Sequence, residues 1–460
     1  MGGGERAFAR WPMLASADVV VVGGGSAGCA AAIGARRAGA SVLLVELGPF
    51  LGGTGAAVLD TFYGFYTPGD RPRKVVGGIA DEVVAALREL GPVVERPNTY
   101  GAGLGVTYHP DHLKVAWEGL VREAGVTVLL HAFVQDAAVR DGRVAEVLVA
   151  TKAGLGRVGG RVFVDASGDA DLSAFAGFGY EQAGELEPAQ TLTTTFRMAN
   201  VDVGQRRTIG KAELHALMEA AAASGAYDLP RREGSDHVTP VEGVMATVMT
   251  RLDSYRREAD GRLVNATDPW LLSEAEMAGR RQALEYVRFL VERVPGYEAA
   301  ALAALGTRIG VRETRRVHGD YRLTREDVLA ARRFDDEVGL CGAPIEDHHA
   351  GSGTTWQYLP EGEVVGIPYR TLLVRDAANV LVAGRCFSAT HDAHASVRSM
   401  AQCMAMGQAA GTAAAIACAT GDLDADPRAV PAAALRARLR DGGAILEVSG
   451  EAPGWPGGAG

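Results

Sequence analysis

Three features of this 460-residue sequence predict an α/β fold, a parallel sheet interrupted by an α+β insertion. The chain opens a strand–turn–helix–strand unit at Asp18: four valines (Val19–Val22), a glycine turn, an alanine-rich stretch and a second apolar run ending at Glu46. Unbroken valines suit a strand buried on both faces, and a helix that starts without bulky side chains can press against it. Residues 181–375 change character, with alternating and helical patterns broken by Pro, Gly and Asp turns. An apolar strand and a long small-residue helix then return, so the first unit is read as discontinuous.

In chain order, residues 1–17 are expected to be a flexible leader and 18–180 the first part of the sheet unit. Further strands are expected at 126–130, over 143–151 after the Asp141-Gly142 turn, and at 160–169. The inserted domain, 181–375, carries the alternating stretch 191–200 and helical patterns over 211–224 and 273–294. Residues 376–421 complete the first unit, with 388–398 read as a polar loop before the long helix. A C-terminal segment, 422–448, holds a short helix around 430–440, and a Gly/Pro-rich tail, 449–460, is expected to be disordered.

Composition narrows the function classes. With 47% hydrophobic and 22% charged residues the chain reads as globular and soluble. Forty-six basic against 56 acidic residues give a net charge of −10 with no basic stripe, which argues against nucleic acid as a partner. Cys29, Cys341, Cys386, Cys403 and Cys418 form no CxxC pair and no metal-ligand spacing, so neither a disulfide framework nor a metal centre is expected, and a reducing cytoplasm fits. No stretch is long and apolar enough to suggest export or a membrane span.

The turn carries the first chemical signal. Gly23-x-Gly25-x-x-Gly28 follows a strand, opens a helix and precedes an acid, Glu46, at the end of the next strand, the context of a Rossmann-like dinucleotide site. Gly23 permits the tight turn, Gly25 the approach of a pyrophosphate, and Gly28 close helix–strand contact. Ser26 and Ala27 open the helix, whose free N–H groups and dipole favour an anion, and Glu46 would accept hydrogen bonds from an adenosine ribose.

Four blocks then make the sequence resemble FAD-dependent oxidoreductases of the glutathione-reductase-type fold, within them bacterial proteins related to the succinate dehydrogenase and fumarate reductase flavoproteins. They are residues 19–46, LGGTG (51–55), FVDASGDADLSAFAG (163–177) and NVLVAGRC…SVRSMAQCMAMGQAAG (379–411). The resemblance implies FAD as cofactor, with Gly53 and Thr54 near the pyrophosphate or ribityl chain, Val134 at the adenine, and Ser167, Gly168 and Asp169 along the nucleotide. Gly384 and Arg385 stand where many members of the fold class carry a glycine and an acid. Backbone N–H groups of Ser399, Met400 and Ala401 would meet the flavin N1–C2=O edge, with Arg398 adding positive charge.

No second GxGxxG lies in 181–375 and no CxxC exists, so a separate nicotinamide domain and a redox disulfide are not expected. Two polar segments hold the proton-transfer candidates: 346–370 with His348, His349, Trp356, Tyr358, Tyr369 and Arg370, and 388–398 with His391, His394 and Arg398. His391 is the preferred proton acceptor, His348 the next, and Tyr369 follows. His391 and His394, three residues apart, lack a third ligand, so no metal is assigned. The arginine-rich 310–324 is read as solvated charge and ion pairs in preference to a substrate carboxylate site. These readings combine into an enzyme that moves a hydride equivalent between a small organic substrate and flavin N5, with oxygen, a quinone or a carrier protein as electron acceptor. An FAD-dependent monooxygenase and a non-catalytic flavoprotein are the alternatives, and homo-oligomerisation is left open.

Overall fold

The computed structural model describes residues 8–97, 104–349, 351–420 and 424–448; the expected tail and the first seven residues of the expected leader lie outside that description. Strand β1 (Met13–Val22) starts inside the expected leader, before the valine run, because its early half also finds a pairing partner. Helix α1 (Ser26–Arg37) joins it to β2 (Val42–Val45), which runs parallel with Val19 opposite Val42. Two amphipathic helices that the sequence reading left unmarked, α2 (Ile79–Leu90) and α3 (Pro110–Glu123), precede β3 (Thr127–Leu129), which pairs parallel with β2. Strands β4 (Phe133–Arg140), β5 (Arg143–Thr151) and β6 (Gly154–Asp165) form an antiparallel meander whose last member lies parallel to β1. Where β5 ends as a neighbour of β6, a strand from far along the chain, Val380–Val382, takes its place. The result is a seven-stranded sheet with a parallel centre, the mixed α/β arrangement of Rossmann-like FAD-binding domains.

The intervening segment builds a second sheet. Strand β7 (Phe196–Ala199), helix α4 (Lys211–Ala223), strands β8 (Ser235–Val238) and β9 (Met245–Val248), helix α5 (Pro269–Arg293) and strand β10 (Ala301–Leu305) follow in turn. The four strands are antiparallel in the order β8-β9-β7-β10 and share a core of Phe196, Met198, Met218, Tyr286 and Phe289 with the two helices. A short hairpin, β11 (Ile345–Asp347) with β12 (Thr355–Gln357), leads back to the first sheet through β13, the Val380–Val382 strand.

Residues 388–398 are not the loop expected. His391–Val397 is helix α6, with the Thr390 hydroxyl accepting a hydrogen bond from Ala393 N–H at 3.3 Å, so a threonine cap and three small residues outweigh the polar side chains. Helix α7 (Met400–Ala419) follows at once, and α8 (Ala432–Asp441) lies where the short C-terminal helix is expected. Helices α7 and α1 meet backbone to backbone. A Cβ on Gly407 would stand 2.1 Å from the Ala27 carbonyl oxygen and one on Gly411 1.9 Å from that of Ala31, distances no side chain can occupy.

Candidate functional site

A cavity of about 350 Å³ runs from the glycine turn to the second sheet. The three motif glycines divide their work. Gly23 has φ +100°, and a Cβ there would lie 2.5 Å from the Ala166 carbonyl; one on Gly28 would lie 1.7 Å from that of Gly23. Both serve the fold, and Gly28 does not line the cavity. Gly25 has an ordinary φ of −72°, and a Cβ on it would meet nothing nearer than Gly53 Cα at 3.9 Å. Only a molecule in the cavity needs that glycine, which is the fit expected of a site for a pyrophosphate. Ser26 and Ala27 line the cavity in the first turn of α1, where N–H groups have no intrahelical acceptor. Glu46 is fixed at its edge, its two carboxylate oxygens each accepting a backbone N–H, from Gly24 and Gly48, at 2.5 Å.

Gly53, Thr54 and Val134 also line the cavity, as do Ser167, Gly168 and Asp169. Buried Asp165 shapes that last turn by accepting hydrogen bonds from the hydroxyls of Ser167 (2.6 Å) and Ser173 (2.9 Å). Arg385, beside Gly384 on the wall, is held by an ion pair of 2.7 Å to Asp169, which also accepts the Thr314 hydroxyl at 2.6 Å. The carboxylate at this point of the cavity therefore comes from the turn at residue 169 and not from the position after Gly384. Ser399 and Met400 reach the cavity, but Ala401 does not. It is fully buried, and its N–H donates to the Tyr63 carbonyl at 3.3 Å, so α7 presents one residue fewer than expected.

The far end is lined by Arg231, Arg308, Arg312 and Arg398 with Glu346 and His348. Arg312 donates to the Thr191 carbonyl at 2.8 Å and the Thr193 hydroxyl at 2.6 Å, and Arg398 to the Glu346 carbonyl at 3.4 Å. The Nε atoms of Arg231 and Arg398 are buried without a partner, and among the described residues none of the four arginines pairs with a carboxylate. Burial and the neighbouring Arg398 and Arg231 push Arg312 well below its ordinary value, and burial lowers Arg398. Burial opposes ionisation of Glu346, yet His348, Arg398 and Arg312 together bring it down to about 2. Burial and Arg312 push His348 down to about 3 and leave it neutral, so Arg398 and Arg312 are the cations that keep Glu346 charged near neutrality. The His348 Nε2–H then donates to Glu346 at 3.0 Å and Nδ1 accepts from the Thr354 hydroxyl at 3.0 Å.

Several sequence expectations change here. His391 is buried off the cavity, its Nδ1 donating to Glu313 at 2.9 Å and its Nε2 3.1 Å from Asp347. The cause is the two-residue alternation around β11, which sends Glu346 and His348 into the cavity and Asp347 to His391 on the other side. His348, ranked second, is the one the cavity reaches. Tyr369 is buried elsewhere, its hydroxyl donating to the Pro427 carbonyl at 2.9 Å. Segment 310–324 forms the expected ion pairs, but not on a solvated face: Arg316, 1% exposed, pairs with Glu313, Glu181 (2.6 Å) and Glu187 (2.8 Å), and Arg312 lines the cavity. Thr193 and Thr195, whose spacing in the alternating stretch marks one face, also line the cavity, as do Arg231 and Arg308, which no local pattern marks.

Among the described residues no helix is long and apolar enough to cross a membrane. A 4-oxocyclohex-2-ene-1-carboxylate 5-dehydrogenase of Sinomonas cyclohexanicum is 36% identical over 109 residues, 24% of this chain and 17% of that protein. Similar solved structures include a geranylgeranyl bacteriochlorophyll reductase-like protein of Thermoplasma acidophilum, with 13% identity, TM-score 0.45 and coverage of 93% of this chain and 82% of the other. Another is p-nitrophenol 4-monooxygenase of Pseudomonas putida, with 12% identity, TM-score 0.43 and coverage of 94% and 81%. Residues 18–439, from the strand before the glycine turn into α8, match the family model described as FAD dependent oxidoreductase, and the chain belongs to that family of FAD-dependent enzymes.

Proposed function

We propose that the enzyme is a dehydrogenase or oxidase of the glutathione-reductase-type group, akin to the succinate dehydrogenase and fumarate reductase flavoproteins, acting on a small organic carboxylate. The observation that carries this reading is the excess of cations at the far end of the cavity, where Arg231, Arg312 and Arg398, with Arg308 at the exposed rim, share the lining with one carboxylate, Glu346, and none of them is in an ion pair among the described residues. An arginine does not give up its proton, and a buried charge left unpaired costs several kcal/mol. Such a cluster is suited to an anion that arrives with the substrate.

Residues 18–180 with 376–421 would hold FAD and 181–375 the substrate. Gly25, Ser26, Ala27 and Glu46 would take the adenosine and pyrophosphate with Val134, Ser167 and Gly168. Gly53, Thr54, Asp169, Gly384 and Arg385 would flank the middle of the cofactor, and Ser399 and Met400 its flavin end. When bound, FAD supplies the two-electron acceptor. Glu346, backed by the His348 Nε2–H, would take the substrate's proton. While Arg312 and Arg398 face it unpaired, Glu346 is a weak base. A substrate carboxylate that pairs with those arginines cancels their field and raises the proton affinity of Glu346 when it is needed. The named activity of the relative from Sinomonas cyclohexanicum, on a carboxylate, supports this class.

The test is anaerobic mixing of the oxidised enzyme with small carboxylates and their uncharged amide counterparts while flavin absorbance is followed. Carboxylates should bleach the flavin and amides should not. Equal bleaching by both would overturn the substrate class, and substrate-dependent consumption of NAD(P)H with oxygen would replace the reading by monooxygenation.

A further inference from the structure

We propose that Asp347, His349 and His391 bind a divalent zinc or iron ion on the side of β11 turned away from the cavity. One ligand atom from each lies within 4.8 Å of the others. The two imidazoles stand edge to face with centroids 6.0 Å apart and flank the carboxylate: His391 Nε2 lies 3.1 Å from Asp347 Oδ1, and His349 Nδ1 contacts Oδ2.

Each ligand is also aimed from behind. Glu313 accepts the His391 Nδ1 proton at 2.9 Å, which leaves the Nε2 lone pair facing Asp347 and the Gln190 side-chain amide, 3.2 Å away. Gln190 Nε2 and the His349 backbone N–H each donate to Asp347 Oδ1 at 3.0 Å. A carboxylate behind a ligating histidine is the recurrent outer shell of protein metal sites. Asp347 and His391 are buried, whereas the His349 side chain is 37% exposed and gives an ion its entrance. Two imidazole nitrogens and one carboxylate oxygen, with positions left for water, suit zinc or iron(II) and disfavour magnesium and calcium, which take oxygen shells.

His394, the neighbour that spacing on the helix suggests, takes no part, since its Nε2–H donates to the Arg385 carbonyl at 2.7 Å. A bound ion would tie the strand that carries Glu346 to helix α6, which leads into Arg398. The site is separate from the FAD cavity, and its test reads metal, not turnover.

Tag-free, FAD-loaded protein is stripped with EDTA, exchanged into metal-free buffer and titrated calorimetrically with Zn²⁺, with Mg²⁺ as the counter-probe. A His112→Ala background removes the other close pair of histidines, His109 and His112, whose rings lie 5.0 Å apart. One Zn²⁺ per chain should bind and raise the melting temperature, and Mg²⁺ should not. His349→Ala, a change at the surface, should weaken Zn²⁺ by at least about 10-fold with FAD content unchanged, and His391→Gln should do the same if it folds. No Zn²⁺ uptake, or equal uptake with and without His349, would overturn the proposal and leave a closed hydrogen-bonded cluster.

Discussion

At one end of the cavity the wall is backbone, a turn whose glycines and helix N–H groups come from residues 23–27; at the other it is guanidinium groups drawn from residues 231, 308, 312 and 398. The first end is a local object. Its shape follows from consecutive residues, so changing one of them alters either the turn or what fits against it. The second end exists only after distant segments have packed, and its property is a net charge that no single segment carries. A wall of the first kind suits a phosphate chain that approaches closely, and one of the second kind suits an anion.

The comparison is sharpest at the glycines. Gly28→Ala drives a methyl group into the Gly23 carbonyl, so it should cost more than about 4 kcal/mol of stability and yield little folded protein. Gly25→Val has room for its backbone and points into the cavity, so it should fold normally and lose FAD affinity by at least about 100-fold. Thermal melts and bound-flavin content separate the two; a Gly25→Val enzyme that purifies yellow with full occupancy would break the assignment of that end.

At the charged end, Glu346→Gln should lower the rate of substrate-driven flavin reduction by about 10²–10⁴-fold, with FAD content intact. Stopped-flow traces under anaerobic conditions measure it, and a near-normal rate would remove Glu346 from proton transfer. Arg312→Met should have a smaller effect, weakening carboxylate substrates by about 10–100-fold in KM, because one of four cations is lost. Equal weakening of an uncharged analogue would mean that Arg312 only shapes the pocket.

A separate effect is on stability against pH. His348 lies below its ordinary 6.5, at about 3, and Glu346 below 4.5, at about 2, so the unfolded chain takes up each proton before the folded one does. The His348 contribution is complete above pH 6.5 and is lost as pH falls toward 3; that of Glu346 is complete above 4.5 and is lost toward 2. Each adds a slope of about 1.4 kcal/mol per pH unit within its window. His348→Gln should flatten the decline between pH 6.5 and 4.5 in urea titrations, and an unchanged slope there would place the titrating groups elsewhere.

What could be read from the sequence divides along the same line. The valine strand, the glycine turn, Glu46 and the 163–177 block depend on neighbours within a few residues, and the structure puts Gly25, Glu46, Gly53, Thr54 and Asp169 on one cavity. The arginine-lined end did not follow, because histidine content says nothing about which face of a strand a residue takes: His348 and His349 are adjacent and point to opposite sides of β11. Arg312 and Arg316 share a charged run, yet one lines the cavity and the other is neutralised by three glutamates. Helix α6 is not legible in the sequence because its polar residues mask a threonine cap.

The contact between α1 and α7 has a consequence for how the chain is made. The helix that opens the glycine turn rests its carbonyls against Gly407 and Gly411, nearly four hundred residues later. A ribosome adding about 5–20 residues per second needs tens of seconds to cover that distance. Throughout that interval the alanine face of α1 has no permanent cover, and β6 lacks Val380–Val382 as a neighbour. The nascent first half therefore waits with apolar surface and an open strand edge exposed, an interval in which association with other chains competes with folding.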